Sequence, residues 1–149
     1  MNETQRTREE GKSFKHEGVV FIDPCKPQDV ALLWYADDGR VIPKYDQTQK
    51  PEAYDRADKS IEFYNLNERD IKEARQTLYR KIKRLVEQGD YHFEDSFNGT
   101  PDADHSLGEI IRSLGELIDK TAEYSAFAKA IIEGFRKADR SWMDAVGMV

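Results

Sequence analysis

Six apolar residues, Ile71, Ala74, Leu78, Ile82, Leu85 and Val86, follow one another at steps of 3, 4, 4, 3 and 1. That is the period of one helix face, and no strand keeps such a set on one side. The stripe predicts a long amphipathic helix that must bury this face against other elements. Before it, Ala57 to Tyr64 predicts two turns of helix, followed by the break Asn65-Leu66-Asn67. Asn67 has the side chain to cap the free N–H groups of the longer helix, and Asp70 suits its positive end. Leu66 and Ile71 have the spacing of a hydrophobic staple, and Gly89 reads as the stop.

Two further helices follow the same logic. Residues 90–105 are polar, contain Asn98-Gly99 and Pro101, and read as a loop. Ser106 with Glu109 makes a capping box ahead of the stripe Leu107, Ile110, Ile111, Leu114, Leu117 and Ile118. A last helix is expected over 122–138, with Tyr124, Phe127, Ile131, Ile132 and Phe135 on one side. Upstream, Val19-Val20-Phe21-Ile22 ends at Asp23-Pro24 and predicts a short buried strand. Apolar residues flank Asp37-Asp38-Gly39, which predicts a β-hairpin over 32–42, followed by a loop over 43–56. The expected class is α+β and mostly helical: a short N-terminal β-hairpin element, then three to four helices. A flexible arm is expected over 1–17 and a single domain over 18–149, with the β element at 18–43 and the helical part at 57–139.

Composition limits what such a fold can do. With 149 residues, one domain with a modest core is the natural size. A net charge of −6 argues against a whole-surface grip on nucleic acid and leaves room for a local basic patch. One cysteine, Cys25, excludes an internal disulfide framework and a multi-cysteine zinc site. No run of apolar residues is long enough for a membrane span, and the first residues do not resemble a secretory signal. The expected location is the cytoplasm.

Several residue sets carry candidate chemistry. Arg80, Lys81, Lys83 and Arg84 form a basic patch that could contact a phosphate backbone. At the end of the predicted helix it also suits the negative pole of the helix dipole, and no row of aromatics interleaves with it. His92, Glu94, Asp95, Asp102, Asp104 and His105 crowd into the 90–105 loop and are divalent-metal ligand types, although their spacing matches no ligand motif. Trp142 and Met143 near the end could anchor a protein partner or pack back on the domain. Gly11-Lys12-Ser13 lacks the glycine and leading strand of a phosphate loop. Cys25 has His16 as its nearest histidine in sequence, with nothing to pair them. Trp34 and Tyr35 read as core. No cofactor is expected.

The segments FIDPCKPQDVALLWYADDGRVIP, DKSIEFYNLNERDIKEAR and AEYSAFAKAII, in this order, resemble the region that follows the catalytic motif in a family of bacterial HNH endonucleases. Those enzymes accompany retrons or serve as nuclease subunits of Septu-type anti-phage systems, beside SMC/ABC-type ATPases. The resemblance spans about residues 14–135. The family's nuclease uses a histidine base and further metal ligands on a ββα unit. Residues 1–18 hold His16 alone, so no catalytic residue carries over. The resemblance thus implies a non-catalytic interaction module of a defence system, with an ATPase or nuclease subunit as protein partner and DNA reached through it. Two alternatives stand beside it: a metal-dependent or nucleic-acid-binding nuclease component, and a phage-encoded mimic that blocks such a complex.

Overall fold

The computed structural model describes residues 20–136 and 139–147. The expected arm, Gly11-Lys12-Ser13, His16 and Val19 lie outside them. The fold is α+β, a short β-hairpin followed by several helices. In chain order come α1 (Pro27–Val30), β1 (Leu33–Tyr35), β2 (Val41–Pro43), α2 (Pro51–Phe63), α3 (Arg69–Phe97), α4 (Ala103–Leu117), α5 (Ser125–Arg136) and a 3-10 helix (Ser141–Ala145). No helix among the described residues is long and apolar enough to cross a membrane. Two compact units divide the chain: residues 20–36 with 40–68, and residues 37–39 with 69–136 and 139–147.

In the first unit the hairpin forms as its Asp-Asp-Gly turn predicts. Leu33 pairs with Pro43, Trp34 with Ile42 and Tyr35 with Val41, antiparallel. The expected strand over 19–22 does not form in its described part, although Ile22 is buried. Side chains of α2 and of its C-cap, Tyr64, take up backbone groups of this segment. Arg56 Nε donates to the Val20 carbonyl at 2.8 Å, Ser60 Oγ accepts from the Ile22 N–H at 2.8 Å, and the Tyr64 hydroxyl donates to the Ile22 carbonyl at 3.1 Å. These positions recur every fourth residue, so the helix supplies the hydrogen bonds that a neighbouring strand would. Asp29 reinforces the arrangement by accepting from the Asp23 N–H and from Arg56 Nη2, at 2.9 and 2.8 Å. Those two contacts, the backbone one first, hold its carboxyl below the ordinary aspartate value of 3.8.

α2 begins at Pro51, inside the segment expected to be loop. Proline in a first turn gives up an N–H that has no helical partner anyway. The break Asn65-Leu66-Asn67 then divides its work. Asn65 takes the left-handed conformation, with φ 53°. Its N–H donates to Glu62 O, and the Leu66 N–H donates to Ile61 O, which is a Schellman ending. Asn67 reaches the hairpin: its Oδ1 accepts from the Val41 N–H at 2.7 Å and its Nδ2 donates to the Val41 carbonyl at 2.9 Å.

In the second unit α3 continues past Gly89 to Phe97, which corrects the expected stop and turns half of the expected loop into helix. Gly89 is buried because the six-membered part of the Trp142 indole lies against its Cα, where a Cβ would collide with the ring. The true stop is Gly99, at φ 72°, whose N–H donates to Ser96 O while the Thr100 N–H donates to Asp95 O, a second Schellman ending. α4 starts at Ala103, one turn before the expected capping box, and Glu109 pairs with Arg112 instead. α5 spans Ser125–Arg136 rather than starting at 122, because Tyr124 is left-handed at φ 61°. The core joins Ile82 and Val86 of α3, Ile110 and Leu114 of α4, and Phe127, Ile131 and Ile132 of α5.

Two outcomes follow from these contacts. Gly108 and Gly134 face open space within helices, so alanine at either stabilises by about 0.5–1 kcal/mol through helix propensity. Gly89→Ala instead destabilises by about 1–3 kcal/mol in urea denaturation, because the Trp142 ring must move; a gain like that of the other two would refute the packing. For Asp29, the depressed folded pKa means its stabilisation is full above 3.8 and is lost as pH falls through the lower folded value. Denaturation across an acid pH series is therefore expected to show a shallower acid loss for Asp29→Asn than for the parent.

Candidate nucleic-acid interface

The basic patch sits in the middle of α3, not at its end. A helix of 29 residues is about 43 Å long. Arg80 to Arg84 thus lie several turns from either terminus, and the dipole, which acts within the last turn, gives no reason for them. Arg80, Lys81, Lys83 and Arg84 are all exposed. At 100° per residue, Arg80 and Arg84 lie roughly 40° apart, with Lys83 to one side and Lys81 to the other. Ile82 and Val86 turn the opposite face into the core.

The four cations differ in their surroundings. Lys83 Nζ lies 3.9 Å from Glu87 Oε2, a loose pair with both side chains more than half exposed. Arg80 Nη2 donates to the Thr77 hydroxyl, at 3.3 Å. Among the described residues, no carboxylate pairs with Arg80, Lys81 or Arg84. The neighbouring flank is more acidic. Burial first, then the charges of Asp37 and Glu87, push the Tyr79 hydroxyl above its ordinary value. Asp37 belongs to the hairpin turn that this unit contains, where Arg75 Nη1 donates to Gly39 O and Gln76 Nε2 to Asp38 O, at 2.9 and 2.8 Å.

Extending α3 also brings an aromatic residue to this face. Tyr91 is 63% exposed and lies seven residues beyond Arg84, two turns along nearly the same line. No row of aromatics interleaves with the cations, as the sequence predicts; the single ring of Tyr91 joins their line because α3 runs on past Gly89.

The proposed metal ligands are spread over two helices and their link. His92, Glu94 and Asp95 sit on the last turns of α3, and Asp102 precedes α4 in a left-handed conformation. Asp104 and His105 are in the first turn of α4. The His92 ring packs edge-on against Tyr91, and His105 Nε2 lies 3.5 Å from Glu109 Oε2. Among the described residues, no three histidine, cysteine or carboxylate side chains are grouped to hold a metal. They are near in sequence, but α3 runs through the first three and α4 begins at the last two, so they do not share one loop.

Of the two roles open to Trp142 and Met143, a partner anchor or packing back on the domain, the structure shows the second: they are core residues at 6% and 0% exposure. Trp142 Nε1 donates to Asp90 Oδ1 at 2.9 Å, and Arg140 Nε donates to both oxygens of the same carboxylate at 3.0 and 2.8 Å. Trp34, expected in the core, is 45% exposed on β1, with Lys44 Nζ 5.7 Å from its ring centre. Cys25 is an exposed free thiol. No family model, curated protein or solved structure matches the chain.

The two tryptophans make these placements measurable. Trp34→Phe leaves an emission spectrum that is blue-shifted and resists acrylamide, from Trp142 in the core. Trp142→Phe leaves the red-shifted, readily quenched emission of Trp34. A Trp142 quenched as freely as Trp34 would return it to the surface.

Proposed function

We propose that this chain is a binding module of a bacterial anti-phage defence complex, in line with the sequence resemblance, and that its own contribution is contact with nucleic acid through α3. The observation that carries this reading is the exposed set Arg80, Lys81, Lys83 and Arg84 in mid-helix, where neither the dipole nor ion pairing accounts for three of the four. A phosphate backbone offers such a set closely spaced anions and a release of counterions on contact. An SMC/ABC-type ATPase or nuclease subunit remains the protein partner in this reading. Its contact surface lies elsewhere than Trp142 and Met143, which are already committed to the core.

Salt dependence tests the reading. Affinity for DNA, measured by fluorescence anisotropy, falls as a power of salt concentration, and each phosphate contact removed lowers the slope by about 0.9 for duplex and 0.7 for single strands. The triple variant R80A/K81A/R84A is expected to lower the slope by about 2 on a single strand and nearly 3 on a duplex. Lys83→Ala, whose charge Glu87 already offsets, lowers it by about one unit at most. Alanine suits an exposed helix, so circular dichroism stays unchanged. Binding that ignores salt, or survives the triple change, refutes the proposal.

A further inference from the structure

We infer that the α3 face takes single-stranded rather than duplex nucleic acid, with Tyr91 as the stacking platform beside the cations. The inference rests on the nucleic-acid reading above. Along one line of the helix come Arg80, Arg84, Glu87 and Tyr91, all exposed. Arg84 and Tyr91 are separated by about 10 Å of helix rise and only some 20° of rotation. The ring of Tyr91 has a single aromatic neighbour among the described residues, His92, at 5.6 Å between centroids and 70° between planes. At 63% exposure Tyr91 is largely open to solvent, where a base can reach it.

Two features separate single strands from duplexes on this face. A duplex keeps both faces of each internal base stacked, so an exposed phenol ring meets no free π surface there. An unpaired base has one, and base–aromatic stacking tolerates any sequence. Glu87 is the second feature. A carboxylate between the arginines and the ring repels a continuous row of phosphates laid along the helix. A single strand avoids this by turning its base toward that stretch, where Glu87 accepts from an exocyclic amine as carboxylates do from cytosine. The order along α3 then matches phosphate, base edge and base face.

The test compares three labelled polyanions binding to the full chain: a single strand of about 20 nucleotides, the same sequence as duplex, and inorganic polyphosphate. The parent chain is expected to prefer the single strand. Tyr91→Ala weakens single-strand binding about tenfold or more, leaves its salt slope unchanged, and leaves duplex and polyphosphate binding where they were. Tyr91→Phe, which keeps the ring, retains the parent affinity. If Tyr91→Ala has no effect, or weakens all three alike, while R80A/K81A/R84A abolishes binding, the stacking inference is wrong and the cation reading stands. A parent preference for duplex likewise overturns it. If the parent binds none of the three, the nucleic-acid reading itself fails and this inference with it.

Discussion

The indole of Trp142 occupies the space that any side chain at position 89 would need, and the second unit is organised around that exclusion. Glycine inside a helix costs about 1 kcal/mol relative to alanine, and here the loss is set against burial of a tryptophan. Asp90, the next residue, supplies the other half of the contact. A buried indole N–H needs an acceptor, and the Asp90 carboxylate accepts it together with Arg140 Nε. Two successive residues of α3, one giving space and one giving charge, thereby fix the 3-10 helix. Met143 and Val146 follow Trp142 into the core. The continued course of α3 past this contact is what carries Tyr91 onto the face of Arg80 and Arg84.

Much of this fold was legible where the signal is local and periodic. The stripe from Ile71 to Val86, the pair Ile110 and Leu114, and the run Phe127, Ile131 and Ile132 identified helix faces because burial imposes their spacing. Asp37-Asp38-Gly39 identified the hairpin because so few residues turn a chain that tightly. What stayed illegible depends on distant partners. Gly89 and Gly99 are the same residue type ten positions apart, and only Trp142, far along the chain, makes the first a seat rather than a stop. Val20 to Ile22 looked like a strand because apolar runs do, yet its hydrogen-bond partners are Arg56, Ser60 and Tyr64 on a helix. Pro51 looked like a breaker and serves as an opener, since a first turn does not need its N–H.

The end of α3 also decides how the candidate site residues group. Once the helix was ended at Gly89, Arg80 to Arg84 had a sufficient cause in the dipole. The six metal-type residues also shared a loop. Moving the end to Phe97 removes both conclusions together. The cations lose their structural cause, while His92, Glu94 and Asp95 become separated by helix geometry from Asp104 and His105. The residue types were legible throughout; their grouping was not, because grouping follows from where a helix ends.

A net charge of −6 does not decide whether this face can hold a polyanion. At physiological ionic strength the Debye length is about 8 Å, so an exposed phosphate senses the charges within a turn or two of helix and little beyond. Within that range of Arg84, α3 carries two carboxylates: Glu87, whose nearest cation is Lys83, and Asp90, which already pairs with Arg140. Burial raises the Tyr79 hydroxyl first and the charges of Asp37 and Glu87 add to it, and these two carboxylates make the flank beside Lys83 the less positive side. Arg80, Lys81 and Arg84 hold the other side, with no carboxylate partner among the described residues. The favourable track for phosphates is therefore narrow, bounded on one flank by acid and at one end by Glu87. A narrow track suits one backbone better than two, and this is the electrostatic ground on which a single strand is favoured even before Tyr91 is considered.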